Sequence, residues 1–293
     1  ELNQSVVLSV FLPVSLGVIM LGLGLGLTLA DFKRVLVYPK AVIVALICQL
    51  IVLPIACFGL CYIFQLPPVY AVGMMLLSAS PGGTSANLYS HLANGDVALN
   101  ITLTAVTSVL AILSLPLIVN LSLAHFYDAG TVLPLQFDKV LQVFAIVLVP
   151  VTIGMLVRKR FPNFAEKMTK PVKIFSLVFL FAVVGIVTVT QWNVVTSTGM
   201  SLVAPVLAFN IVSLVVGYFV PRFVGIEKRQ ATAIGMEIGI HNSTLSITIA
   251  MSAALLNNPQ MALPSAIYGL IAFVTAAIFG VLVNRSNPGA ASR

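Results

Sequence analysis

Long apolar runs separated by short polar or charged punctuation organise this chain from end to end. Read against Pro, Asn, Gly and charged residues, they predict nine segments, at 6 to 29, 41 to 64, 68 to 93, 97 to 124, 139 to 157, 171 to 191, 201 to 220, 230 to 256 and 262 to 283. A helix needs about 20 apolar residues, at about 1.5 Å rise each, to cross a hydrocarbon layer. The expected fold is therefore all-α, a polytopic membrane protein of nine transmembrane helices. Two segments are interrupted. The third runs from Val69 to Ser80, breaks at Pro81-Gly82-Gly83 and resumes from Thr84 to Ala93; the eighth runs from Ala231 to Ile240 and meets His241-Asn242-Ser243-Thr244. Irregular backbone at mid-membrane depth survives only when buried in protein or lining a water-filled cavity. The breaks fall third in segments 1 to 4 and third in segments 6 to 9. Those runs are expected to be inverted repeats, because an odd offset between matching spans turns one run over relative to the other.

Composition sharpens this picture. The 293 residues are 59% hydrophobic and 8% charged, with a mean hydropathy of +1.09, whereas soluble domains carry roughly a quarter charged residues. Little length remains for a soluble domain, so residues 1–293 read as one transmembrane unit. The run from Val6 to Leu29 is too long for a signal-peptide core and reads as a spanning helix. Cys48, Cys57 and Cys61 lie inside apolar stretches without metal-ligand or redox spacing and read as small packing residues.

The net charge of +7 is topological. Basic residues sit in short clusters without aromatic interleaving, which argues against nucleic acid, and short cytoplasmic loops concentrate Lys and Arg. With the N-terminus outside, those loops hold Lys33, Arg34 and Lys40; Arg158, Lys159, Arg160, Lys167, Lys170 and Lys173; Arg222, Lys228 and Arg229; then Arg285 and Arg293. Only Lys139 falls outside. The C-terminus is expected in the cytoplasm, and Trp192 reads as an interfacial anchor.

Glu237 is the one acidic residue inside a segment. An ionised carboxylate there costs several kcal/mol unless partnered, and no Lys or Arg lies at similar depth. Three solutions remain open: a protonated carboxyl, a bound cation or a water-filled cavity. A hard monovalent cation wants oxygen ligands, and Thr84, Ser85 and Asn87 at the first break, with Asn100 and Thr104 one turn apart on the next segment, offer them. Gln49 is a further polar side chain in an apolar run. His241 follows Glu237 by four residues, so on an unbroken helix the two would share a face and could relay protons. The residues after each break, Thr84 and Ser85, Asn242 and Ser243, would present half-helix N-termini, which attract anions. The Gly22, Gly24 and Gly26 run reads as close helix packing; Pro39, Pro54 and Pro150 read as kinks or ends. No Ser/His/Asp, paired-Asp or HExxH arrangement appears at depth, which argues against an intramembrane enzyme.

Three stretches, GLGLTLADFKRVLVYPKAV (24 to 42), PGGTSANLYSHLANGDVALN (81 to 100) and MEIGIHNSTL (236 to 245), resemble the bile acid:sodium symporter family, and the likeness extends over nearly the whole chain. The resemblance implies two broken helices crossing at the membrane centre, in a nine-helix layout. It implies a core domain from 41–124 and 201–283, and a panel domain from 6–29 and 139–191. It further implies no cofactor and two sodium ions as coupling ions. One would be held by Asn87, Asn100, Thr104 and Glu237 with the backbone near Ala86; the other by Gln49, Glu237, the carbonyls of Ile238 and Ile240, and His241. Substrate would sit between core and panel near Thr84 and Asn242. The family commonly carries Gln at position 241, Ser at 86 and 100, and a His-Asn pair where this chain has Ala272 and Phe273. An imidazole is a poor sodium ligand, and loss of that Asn makes the cavity more apolar. The expectation is sodium-coupled uptake of a small or amphipathic organic anion across a bacterial inner membrane by alternating access. Proton coupling through Glu237 and His241, or a non-transporting membrane protein with a structural polar cluster, stand as alternatives.

Overall fold

The computed structural model describes residues 2–83, 85–127, 137–190, 199–252 and 255–285. Trp192 and Arg293 lie outside the described residues, as do the side chains of Lys139 and Lys173. Among the described residues the chain is helical throughout, and its one extended pairing is an isolated bridge between Gly82 and His241.

The first segment is helix α1 (Leu2–Gly26), which ends earlier than its apolar run suggests: the chain bends by 68° into the short α2 (Leu29–Lys33). A local clasp holds the bend. Thr28 donates both its N–H and its hydroxyl to Asp31 Oδ2 at 2.7 Å, and Arg34 Nη1 donates to Asp31 Oδ1 at 2.6 Å, so the first free N–H groups of α2 begin beside a satisfied carboxylate. The second segment is α3 (Pro39–Ile47) and α4 (Leu53–Ile63), continuous but for a π-helical turn at Cys48–Val52. Pro54 offers no N–H to the Leu50 carbonyl and crowds it, which widens that turn. Gln49 lies in it.

Then come α5 (Pro68–Ala79) and α6 (Ala86–Leu92) around the first break, α7 (Val97–Phe126), α8 (Phe137–Arg160) and α9 (Pro162–Thr190). They are followed by α10 (Met200–Phe223), α11 (Lys228–Gly239) and α12 (Ser243–Met251) around the second break, and α13 (Leu263–Arg285). The sixth segment begins well before residue 171. Lys167 and Lys170 stand on α9, one residue of linker after α8; a hydropathy reading takes a polar helical end for loop.

Four helices among the described residues are long and apolar enough to cross a membrane, Pro39–Ile63, Val97–Phe126, Met200–Phe223 and Pro259–Arg285, and the bent first pair makes a fifth. Each broken segment falls short because neither half spans alone: α5 and α11 have 12 residues each. The surface is apolar where water would demand the reverse. Ile43, Ile47, Ile51 and Ile55 recur one turn apart and face outward, as do Val109, Leu113, Leu117 and Leu121 of α7, with Leu113 68% exposed. The same α7 buries Asn100, Thr104 and Thr107 on its other side. This distribution suits hydrocarbon solvent, and the chain is a multi-pass integral membrane protein.

Burial also ranks the helices. Every residue from Tyr70 to Ala79 of α5 and from Ala231 to Gly239 of α11 is buried, so the broken helices are enclosed by the others. The first helix packs against α8 and α9. A Cβ on Gly24 would overlap the Val151 carbonyl, and one on Gly22 would overlap Val172, so these glycines permit the close approach expected of them. At Gly26 nothing lies within 4 Å of an added Cβ.

Candidate functional site

The two breaks meet. Gly83 N–H donates to the Ile240 carbonyl at 2.6 Å and Asn242 N–H donates to the Pro81 carbonyl at 2.8 Å, an antiparallel bridge across the centre of the fold. The first break follows from Pro81-Gly82-Gly83. The second has neither Pro nor Gly at its centre; Ile240 leaves the helix at φ −119 and ψ 79, and Asn242 caps α12 by accepting from Leu245 N–H at 3.0 Å.

Each half-helix ends in carbonyls that need donors, and side chains from other helices supply them. The Ser80 carbonyl accepts from Gln49 Nε2 at 2.9 Å and from His241 Nδ1 at 3.1 Å. The Gly239 carbonyl accepts from Tyr268 Oη at 2.8 Å and Asn210 Nδ2 at 3.0 Å. A carbonyl can only accept, so His241 carries a proton on Nδ1 in this arrangement. Its Nε2 is left as a buried acceptor with no donor, on a ring stacked against Phe209 with centroids 5.4 Å apart.

Glu237 lies on the opposite side of the crossing. Its Oε2 accepts from Thr104 Oγ1 at 2.7 Å and its Oε1 from Thr107 Oγ1 at 3.3 Å. Its carboxylate rests on Gly82, where a Cβ would overlap it; this is why the break is glycine there. Among the described residues the one ion pair is Asp31 with Arg34, so Glu237, 1% exposed, has no cationic side chain to balance a charge.

The predicted residues divide into two groups. Asn100, Thr104 and Glu237 come together: Asn100 Nδ2 donates to the Ala233 carbonyl at 2.8 Å, one turn before Glu237, and Thr104 bonds both the Asn100 carbonyl at 3.1 Å and the carboxylate. Asn100 Oδ1 and Asn87 Oδ1 are buried without donors. Asn87 joins none of these hydrogen bonds, and Ala86 begins α6 with its N–H on the Gly83 carbonyl at 2.9 Å. Gln49 and His241 come together on the other side, their nitrogens 3.4 Å apart, while the Ile240 carbonyl is already engaged by Gly83 and Ile238 lies within α11. Glu237 and His241 do not share a face. The helix ends between them, and among the described residues the two have different hydrogen-bond partners.

Of the predicted anion ends, Thr84 lies outside the described residues. Ser85 is helical and makes no capping bond, Asn242 spends its side chain on its own helix, and Ser243 Oγ is buried without a partner. Phe273 stacks on Tyr89 with centroids 6.1 Å apart. Thr107, Asn210, Tyr268 and the contact role of Gly82 went unpredicted. Asn210 was findable, because an Asn in an apolar run needs a partner as much as Gln49 does; Thr107 continues the Asn100 and Thr104 face.

A buried carboxyl group held by hydroxyls at the meeting of two broken helices suits an integral membrane protein of the ion-coupled transporter class. The chain belongs to the Sodium Bile acid symporter family, whose model matches residues 13–198. It is 28% identical over 263 residues to the uncharacterized sodium-dependent transporter YocS of Bacillus subtilis, covering 90% of this chain and 79% of that one. It is 27% identical over 249 residues to the ileal sodium/bile acid cotransporter of Homo sapiens (84% of this chain, 70% of that one), and 28% identical to the Cricetulus griseus protein of the same name over the same shares. These relatives are transporters, in keeping with a role in transport.

Proposed function

We propose that the chain is a sodium-coupled symporter of an organic anion, working by alternating access, with nine spans arranged as inverted repeats and its N-terminus outside. The observation that carries the reading is Glu237, buried between two threonine hydroxyls with no cationic side chain. One turn before it Asn100 holds the Ala233 carbonyl and keeps a donorless amide oxygen, and Asn87 of α6 has another. A sodium ion supplies the missing charge to an all-oxygen set of Asn87, Asn100, Thr104 and Glu237 with the Ala86 backbone. A second ion would draw on Gln49, Glu237, the Ile238 and Ile240 carbonyls and His241. In this structure Gln49 Oε1 is buried without a donor, as a ligand oxygen would be, but the Ile240 carbonyl is already engaged by Gly83 and the imidazole presents nitrogen, so the set fits sodium less well.

Paired features support the inverted repeats. Gln49 bonds the carbonyl before the first break and Asn210 the carbonyl before the second. Gln65 and Gly225 take left-handed conformations at the two links that precede the broken helices, and Asn94 and Asn257 at the two that follow them. In each pair the partners lie about 160 positions apart in the chain. The links also share a bond pattern: Leu66 N–H reaches the Cys61 carbonyl and Ile226 N–H the Pro221 carbonyl, both at 2.9 Å, the 6→1 closure of a helix end. The α1, α8 and α9 group forms the panel and the remaining helices the core, with substrate between them, near Thr84, Ser85, Asn242 and Ser243. Sodium would tie α6, α7 and α11 together, and the state so ordered binds the anion more tightly.

The test is thermal unfolding of the purified chain in sodium chloride against choline chloride. A ligand held at a hundred times its Kd stabilises the native state by about 2.7 kcal/mol. Sodium is expected to raise the midpoint of the native chain and leave Glu237→Gln unmoved; an equal rise in both would overturn the assignment.

A further inference from the structure

Two cavities lie beside α1, and Arg158 belongs to both. One, of about 250 Å³, opens between α1, α8 and α9 on one side and Asn87 of α6 and Ile101 of α7 on the other; the second, of about 510 Å³, is walled chiefly by Leu27, Leu29, Met155 and Leu156 and has a second cation, Lys159, which does not reach the first. They share Leu27 and Arg158, and together they reach the size of small-molecule sites, roughly 300–1,000 Å³. No Asp or Glu lines either one. Among the described residues Arg158 has no ion pair, although it stands at the edge of an apolar hollow where a guanidinium gains from a bound anion. The inner end of the smaller cavity is Asn87, whose Oδ1 is buried without a donor, and Thr169 lines its α9 wall.

We propose that Arg158 is the residue that binds the acidic head of the transported organic anion. Its carboxylate or sulfonate pairs with the guanidinium, and its apolar body lies against Ile19, Leu23 and Leu27. A hydroxyl or amide N–H on the ligand can satisfy Asn87. Because Asn87 is also in the cation set, an ion that fixes its amide changes the wall that the anion meets, which is a direct route for coupling. This inference rests on the symport reading above and gives that reading a specificity residue.

The same guanidinium could hold the headgroup of an anionic lipid, so the experiment has two arms. In the first, equilibrium binding of decyl sulfonate to the purified chain is measured in sodium and in choline, for the native chain, Arg158→Gln, Arg158→Lys and Gly26→Leu. Gly26 lines the smaller cavity and has open space at its Cβ position, so a leucine there takes up cavity volume from a position that admits a side chain. Expected are sodium-promoted binding by the native chain, at least tenfold weaker binding by Arg158→Gln and Gly26→Leu, substantial retention by Arg158→Lys, and an unchanged thermal midpoint in choline for all four. In the second arm, native mass spectrometry reads phosphatidylglycerol carried by the native chain and Arg158→Gln. Absence of decyl sulfonate binding overturns the inference, as does binding that ignores Arg158, or loss of phosphatidylglycerol alone in the variant. Arg158-dependent binding that ignores sodium leaves the anion site standing and overturns the symport reading instead.

Discussion

The two breaks do the same topological work with opposite materials. The first, Pro81-Gly82-Gly83, carries almost no side chain, and its smallness is its use: the Glu237 carboxylate lies directly on Gly82. The second, Ile240-His241-Asn242, carries side chains that do the bonding, with His241 on the Ser80 carbonyl and Asn242 on Leu245 N–H. One break provides room and the other provides hydrogen-bonding side chains, a donor in His241 and an acceptor in Asn242. A proline-glycine sequence at the second break would remove one of the two donors on the Ser80 carbonyl, and a side chain at Gly82 would leave no space for the Glu237 carboxylate.

Substitution at Gly82 is expected to have the largest effect. Gly82→Ala puts a methyl group into the carboxylate, so it is expected to lower stability by about 3 kcal/mol or more and to abolish the sodium-dependent rise in thermal midpoint. Next come the donors at the second helix end. Losing Asn210 or Tyr268 alone leaves the Gly239 carbonyl one partner, so Asn210→Ala and Tyr268→Phe should each cost about 1 kcal/mol. The double variant strands a buried acceptor and should cost about 1–3 kcal/mol beyond their sum; denaturant unfolding of the four proteins measures the coupling. The smallest effects fall on the hydroxyls that hold Glu237. Thr104→Val removes the 2.7 Å bond and Thr107→Val the 3.3 Å one, so losses of about 1 and about 0.5 kcal/mol are expected in choline. The sodium response should weaken more for Thr104→Val, which also removes a proposed ligand oxygen.

Much of this arrangement was legible in the sequence for physical reasons that differ by residue. Pro81-Gly82-Gly83 announces a break because proline and glycine disfavour a helix interior wherever they occur. Glu237 announces a site because hydrocarbon penalises a lone charge. The second break was visible only through polar residues in an apolar run, because its helix end is set by partners on other helices, Asn210 and Tyr268, which local spacing does not reveal. The same cause separated Glu237 from His241: i and i+4 share a face only while the helix continues, and here it stops at Gly239. The early start of α9 was hidden because its first turns are polar, and the bend after Gly26 because Leu27 and Leu29 continue the apolar run through it.

Whether Glu237 holds a sodium ion at the crossing is tested most directly by binding of sodium-22 to the purified chain, which needs no knowledge of the substrate. The native chain should show saturable binding that unlabelled sodium displaces and choline does not, and Glu237→Gln should show none. Saturable binding that survives Glu237→Gln, or none in the native chain, would contradict the account.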